Sequence, residues 1–529
     1  MSFSIQNNRK ILVYLLVTSA LIRLILAYWV ELGNDEVYYW TYALHPSWSY
    51  FDHPPMLAWV IRIFSFNLLF DNELLLRLSS VIFMTINTYL VYRIGKQIRD
   101  IQTGLYTAFL YTASIYAFVI TGIFIMPDTP LSLFWFLALF MLIKAIQTQQ
   151  SKSIIWAGFF IGLAILSKYT GVFLWIGMGL YCILFDRQWF KKPTFYMAVG
   201  ISLLCLFPII YWNLNNNFIS FNFHSARLEI ENFKLHFDLF GTELLGEFAY
   251  NNPFNVVLIV IALIAIVKKN RFLTKNAQRL LLCVSLPLIL TFLVVSLFRF
   301  TLPHWTAPAF CTLIFVAASY LASKNPIQEG KIKIPIFICA ALITLIITLI
   351  IGVVQIKTGF IPLDGKQEYH LLGKNDFSLD MYGWRAVKPE FEKIRNKKIA
   401  QGLMKPTDGF IGENWFPLAH NDYYIAHPLG IKTFGMGKVE KIHQYLWTNE
   451  LRGNIQKGES YWFITNSRNY EDPSKLFENN FSKIIRSDTI EIMRCGKPAK
   501  RYFIFLLKDL KTEPYSLSDF VSEKQTQKL

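Results

Sequence analysis

The chain has 529 residues, 53% of them hydrophobic and 16% aromatic, with a formal net charge of +16 and a mean hydropathy of +0.35. A soluble globular domain of this length is less apolar, so the composition excludes a water-soluble protein and points to an integral membrane protein. The positive charge is expected to report membrane topology and not nucleic-acid binding.

Eleven apolar runs approach the roughly 20 residues a helix needs to cross a bilayer. They fall at about 11–29, 74–92, 103–122, 129–147, 153–167, 170–185, 194–212, 254–267, 280–298, 305–323 and 334–354, the fifth and sixth being short. The first follows Arg9-Lys10 as a signal peptide would. It is too long for that and lacks a small-x-small exit, so it is expected to be a retained span. Lys and Arg concentrate in one set of loops (Arg9, Lys10, Arg93, Lys96, Arg187, Lys191, Lys268, Lys269, Lys331 among them), while the opposite set holds only Arg62, Lys168, Arg227, Lys234 and Arg299. The basic side is cytoplasmic, which puts the N-terminus inside. An odd span count then places the first loop, the Met126-Pro127-Asp128 turn, the 213–253 loop and everything after 355 outside.

From about residue 355 the apolar runs shorten and Lys, Glu, Asn and Asp become frequent. The pattern divides the chain into a transmembrane domain over 1–355 and an external soluble α/β domain over 356–529. Helices are expected at Lys388–Ile399 and Phe416–Ile425. Strands are expected at Gly409–Gly412, Ser460–Thr465, Lys483–Met493 and Arg501–Leu507, the last two joined by the turn-prone Cys495-Gly496-Lys497-Pro498. The polar stretch Ser516–Leu529 reads as a mobile tail. Only Cys495 lies in the external domain, which rules out an internal disulfide there, and no cysteine spacing suggests zinc. There is no repeat of the inverted kind found in many secondary transporters.

The chemistry lies in the external loops. Asp35-Glu36 follows the first run, where such a pair ordinarily serves as solvated charge or as a helix cap. The aromatics Val37-Tyr38-Tyr39-Trp40 suit an interfacial helix or stacking on sugar or lipid, and partial desolvation there would raise a carboxylate's proton affinity toward that of a general base. Asp52-His53 precedes a stiff Pro54-Pro55 step. An adjacent Asp-His pair can bind a cation or a phosphate, although one pair alone is weak evidence for a metal. His224 and Arg227 are three apart, hence on one helical face, and the Arg fork matches a phosphate. Lys168, in Leu166-Ser167-Lys168, could simply snorkel, and Asp128 could simply cap the fourth span. Arg299 and His304-Trp305 add a cation, an imidazole and an indole on the same side.

In this order the motifs resemble those of the GT-C membrane glycosyltransferases, in particular the group of the protein O-mannosyltransferases and the bacterial aminoarabinose transferase that modifies lipid A. Asp35-Glu36 resembles their acidic pair in the first external loop. Tyr50-Phe51-Asp52-His53-Pro54-Pro55 is similar to Tyr-Phe-Glu-Lys-Pro-Pro, Leu166-Ser167-Lys168 to Leu-Thr-Lys, and His224-x-x-Arg227 to His-x-x-Arg. Leu302-Pro303-His304-Trp305-x-x-Pro308 is similar to Leu-Pro-Thr-Tyr-x-x-Pro. The resemblance covers about residues 10–355. His53 departs from a lysine, Asp52 from a glutamate and His304-Trp305 from Thr-Tyr, so a permanent charge becomes one that titrates near neutrality.

The resemblance implies a GT-C fold of about eleven spans and a transferase that moves a sugar from a polyprenyl phosphate to lipid A, a glycolipid or another envelope acceptor, with inversion, at the outer face of a bacterial inner membrane. It implies Asp35 and Glu36 as catalytic residues and His53, Lys168, Arg227 and Arg299 as ligands of the donor phosphate. Tyr38, Asp128, His304 and Trp305 would contact acceptor or sugar, and Asp52, His53 and His224 could instead hold a divalent metal ion. The partners expected are a polyprenyl-linked sugar, a lipid or glycan acceptor and membrane lipids, with no nucleic acid. The alternatives are a protein O-glycosyltransferase of the same fold, a glycan ligase or polymerase, an inactive lipid-sugar-binding scaffold, and a flippase or transporter. A transporter would be expected to carry charges buried mid-membrane.

Overall fold

The computed structural model describes residues 2–229, 234–364 and 368–520. The chain divides into two compact units. One comprises Met1–Ala27, His53–Leu214 and Ser220–Thr348, and the other Tyr28–Asp52, Asn215–Ile219 and Leu349–Leu529.

In the first unit each of the expected apolar runs falls on helix. Among the described residues six single helices are long and apolar enough to cross a membrane: Ile5–Trp29, Glu73–Ile98, Asp128–Thr148, Lys275–Ser296, Ala307–Lys324 and Ile336–Thr358. Two bent pairs raise the number to 8 if each is one span. The other expected runs form the shorter helices Ile101–Ala113, Ser151–Ser167 and Phe173–Phe185. The chain is a polytopic helical membrane protein.

Local chemistry explains where these helices begin and how they pack. The Asn72 side chain accepts from the Leu75 N–H at 3.1 Å and Asp100 from the Thr103 N–H at 2.7 Å, each satisfying an amide that the first turn leaves unpaired. Gly158 and Gly162, four apart on Ser151–Ser167, face Ala198 and Ser202 on Pro193–Cys205. A Cβ on Gly158 would lie 2.3 Å from the Ala198 carbonyl oxygen. Small residues at this spacing bring backbones together where no hydrophobic force between helices operates. Phe237–Asn251 and Pro253–Val267 meet at 103° around Asn252, whose φ is +70°. Its amide donates to the carbonyls of Ala113 (3.0 Å) and Ala341 (2.9 Å), and its oxygen accepts from the Phe254 N–H. The expected 213–253 loop is thus largely helical, with 230–233 outside the described residues. Strands β1 (Ser2–Ser4) and β2 (Lys331–Lys333) pair antiparallel.

The second unit is built on a mixed sheet of β3 (Gly409–Gly412), β4 (Thr433–Gly435), β5 (Tyr461–Asn466), β6 (Phe481–Arg494) and β7 (Lys497–Leu510), in the order β4-β3-β5-β7-β6. β3 runs parallel to β4 and β5, while β7 is antiparallel to β5 and β6. Cys495 and Gly496, with φ of +49° and +76°, close the β6–β7 hairpin in the paired positive-φ conformation that a two-residue turn matching strand twist needs. The hairpin strands run longer than their hydrophobic alternation suggested. β4 and the helices Val439–Ile442 and Tyr445–Leu451 were not expected, each being too short to show a period.

Residues Tyr28–Asp52 belong to this second unit. The Tyr424 phenol accepts from the Leu32 N–H at 2.7 Å, and a Glu31 oxygen accepts from the Trp384 N–H at 2.7 Å. Helix Asn34–Leu44 buries Val37, Tyr38, Tyr39 and Trp40, all at 4% exposure or less. Tyr38 packs on Trp415 and Trp40 on Tyr423. The expectation of an interfacial, sugar-stacking aromatic run is therefore corrected: these rings are core. The tail also needs correction at its start, because Phe520 is buried against Trp447; residues 521–529 lie outside the described residues.

Candidate functional site

In the second unit the acidic pair separates into two roles. Glu36 is buried and accepts from the Gly33 N–H at 2.8 Å, so it closes the N-terminus of helix Asn34–Leu44. Asp35 is exposed on the same first turn, where a carboxylate is favoured by the helix dipole.

Asp52 is 8% exposed. Its Oδ1 accepts from the phenols of Tyr38 (3.2 Å) and Tyr42, and its Oδ2 lies 3.8 Å from Nδ1 of His443. Burial, and secondarily the Asp52 carboxylate, hold both phenols well above the usual tyrosine range, so they stay protonated as donors. Tyr42 stacks on Tyr50 at 4.0 Å. Tyr38, expected to meet acceptor or sugar, is engaged by this network instead.

In the first unit, loops distant in sequence bring their side chains into a linked set. The rings of His53 and His224 are 6.3 Å apart, and His224 is 5.0 Å from Tyr169, the residue after Lys168. The Lys168 ammonium donates to both oxygens of Asp128, at 2.7 and 2.9 Å, with both side chains buried. Asp128 also accepts from the Tyr116 phenol at 3.1 Å. The N-cap of its helix is Pro127, and Asp128 lies in the first turn with Lys168 as its charge partner. His304 feels both charges: burial first, and then the Lys168 ammonium, bring its imidazole down to about 4. It is neutral at neutral pH, and its ring lies 5.9 Å from that of Tyr250. Trp305 packs on Phe292.

Arg299 donates to the Ala226 carbonyl, and Arg227 is exposed with its guanidinium 4.4 Å over the Phe223 ring. This sets the Arg299 loop beside helix Ile219–Leu228, which carries His224 and Arg227.

Among the described residues no group of three or more His, Cys, Asp or Glu side chains stands together to hold a metal. Of the three residues the resemblance offers for a metal, Asp52 accepts from the phenols of Tyr38 and Tyr42, and the His53 and His224 rings are 6.3 Å apart.

Sequence reasoning missed several members. His443 and Tyr42 give no local signal, whereas Tyr50 opens the Tyr50–Pro55 motif without having been given a role. Glu243 and Glu247 do give one: they are one turn apart on a largely apolar helix, and such spacing places both on one face. Both are buried, and they accept from Thr301 (2.7 Å) and Thr306 (3.1 Å), on either side of His304.

Residues 52–212 match the sequence family described as dolichyl-phosphate-mannose-protein mannosyltransferase. The chain is 21% identical over 298 residues to the lipid A galacturonosyltransferase RgtD of Rhizobium johnstonii, a match covering 55% of this chain and 61% of that protein. The match therefore spans about three fifths of that relative's length. The fold is similar to crystal structures of ArnT from Cupriavidus metallidurans. For the form bound to undecaprenyl phosphate the TM-score is 0.63 at 14% identity, covering 93% of this chain and 97% of that one. For the apo form it is 0.61 at 13% identity, with the same coverage. The chain has the fold of these membrane glycosyltransferase structures over nearly its whole length, and its sequence matches the mannosyltransferase family over residues 52–212.

Proposed function

We propose that this protein transfers a sugar from a polyprenyl-phosphate donor to lipid A or another envelope glycolipid, inverting the anomeric centre, at the outer face of a bacterial inner membrane. The observation that carries the reading is the linked set His53–His224–Lys168–Asp128–His304 with Arg299 beside Arg227, since loops from five separate parts of the chain converge on groups suited to a phosphorylated lipid. The ArnT crystal structure with undecaprenyl phosphate supports a donor of this class, and the relative RgtD supports lipid A as acceptor. The transmembrane domain spans the bilayer eleven times, with the N-terminus cytoplasmic and residues 356–529 forming a periplasmic domain.

In this reading the acceptor hydroxyl attacks the anomeric carbon as the bond to the phosphate oxygen breaks. Asp35, exposed at a helix N-terminus, takes the hydroxyl proton. Arg227 and Arg299, with His53, stabilise the charge that grows on the departing phosphate, and preorganised groups of this kind usually supply most of the rate enhancement. Lys168 is neutralised by Asp128, so it contributes by orienting that carboxylate as a hydrogen-bond acceptor for sugar hydroxyls, with neutral His304 alongside. Glu36 has no chemical step; it builds the turn that presents Asp35.

A second reading has a protein hydroxyl as the acceptor, favoured by the family match over 52–212. Both are tested by offering purified protein a panel of radiolabelled polyprenyl-phosphate sugars with either a cell-envelope lipid fraction or unfolded secreted protein. Transfer to lipid from one donor, lost in Asp35→Asn, is the expected result. Label on protein would select the second reading. Donor movement across vesicles without cleavage would replace both with a flippase.

A further inference from the structure

His443 adopts φ +50°, ψ −128°, a conformation that glycine takes freely and a residue with a Cβ takes at a cost. It is nonetheless only 7% exposed. The ring lies at 24° to Trp415 with centroids 5.7 Å apart, 5.0 Å from the Phe51 ring, and presents Nδ1 to Asp52 Oδ2 at 3.8 Å. The next residue completes the contact: the Gln444 N–H donates to the Tyr38 phenol oxygen at 3.1 Å, and the Gln444 side-chain oxygen accepts from the Phe51 N–H at 2.9 Å.

Gln444 thus holds Tyr38 and Phe51, while the His443 ring stands beside the Asp52 carboxylate, and the strained backbone at His443 is what turns Gln444 toward them. The two oxygens of Asp52 are addressed from different elements, Oδ1 by the phenols of helix Asn34–Leu44 and Oδ2 by His443. A carboxylate anchored through Oδ1 by two phenols, with an imidazole beside Oδ2, can receive a sugar hydroxyl with little reorganisation.

We infer that the His443–Gln444 turn is a positioning element for transfer, with His443 setting the Asp52 carboxylate. The C-terminal domain then takes part in building the reacting loop and is not solely a platform for the acceptor. This rests on the transferase reading. Backbone strain kept at one buried residue, where glycine would relieve it, is the mark of a conformation held for function.

The test compares His443→Ala with His443→Gly in the full-length protein. Both delete the ring, but only glycine relieves the backbone. The glycine variant is expected to melt above the alanine variant, while both lose kcat alike, by roughly 10- to 100-fold as for a misplaced reacting group, with the donor KM little changed. Gln444→Ala is expected to lower kcat in the same direction. Transfer that recovers from alanine to glycine in step with thermal stability would assign His443 a purely structural role and overturn the inference. So would wild-type kcat in either variant, or a loss confined to KM. If the wild-type protein uses no polyprenyl-phosphate sugar at all, the transferase reading fails and takes this role with it; an active wild type with indifferent variants fails the inference alone.

Discussion

The ammonium of Lys168 sits between the two carboxylate oxygens of Asp128, with 8% and 1% of the respective residues exposed. Breaking a buried pair from one side leaves an uncompensated charge, which costs about 3–5 kcal/mol, whereas replacing both partners by apolar groups is often neutral. Asp128→Leu alone should therefore lower the thermal midpoint sharply, and Asp128→Leu with Lys168→Met should restore most of it. Transfer should stay lost in the double variant. Recovery of activity together with stability would show the pair to be structural only.

Glu36 and Asp35 should respond oppositely to substitution. Glu36→Ala removes the bond to the Gly33 N–H and is expected to destabilise by about 1 kcal/mol, as loss of a helix cap does. Asp35→Asn, at an exposed position, should leave the stability within about 0.5 kcal/mol of wild type and abolish transfer. Paired melting curves and transfer assays separate the two.

The loop that carries His304 is fastened by Thr301 to Glu243 and by Thr306 to Glu247. Thr→Val at either position leaves a buried carboxylate oxygen without its donor, at a cost of about 1–3 kcal/mol. The Thr301→Val/Thr306→Val variant is expected to lose stability and to transfer more slowly, because His304 is no longer held. Unchanged limited-proteolysis and melting behaviour would show that other contacts fix the loop.

Two imidazoles predict an acid limb in stability. Burial, with Lys168 next, brings His304 down to about 4, and burial, with Arg452 next, brings His45 down to about 4. Between the ordinary value of 6.5 and about 4 the unfolded chain binds protons that the folded chain does not, so stability rises with pH across that window. The contribution is complete above pH 6.5, falls as the pH drops toward 4, and changes no further below it. Melting curves of His304→Asn and His45→Asn measured from pH 7.5 to 4 should each be flatter than wild type.

Arg23 lies wholly buried in the first membrane helix, its guanidinium 4.3 Å over the Phe118 ring. A cation–π contact returns only part of the cost of burying a charge. Arg23→Met is accordingly expected to raise the thermal midpoint in detergent, and a fall would show that the charge is compensated more fully than by Phe118.

Much of this protein was legible in one dimension. Hydropathy is a local sum, so the apolar runs located the membrane helices, and turn chemistry located the β6–β7 hairpin. Motif spacing picked out Asp128, Lys168, His224 and His304, which the fold then linked. The aromatic run at 37–40 was misread because the pattern shows that such rings avoid water, but not whether lipid, sugar or protein covers them. β4 and the helices around His443 were missed because segments of three to seven residues hold too little periodicity.

What the sequence by itself determined is the membrane class, the placement of the helices and the stock of ionisable groups in the loops, since each depends on residues near one another in the chain. Only the tertiary structure decided which groups meet. That Asp128 pairs with Lys168, that Glu36 caps while Asp35 stays exposed, and that Asp52 faces His443 nearly four hundred residues away are outcomes of packing. They are fixed by where buried charges and donors find partners in a space that excludes water, and no local pattern encodes that.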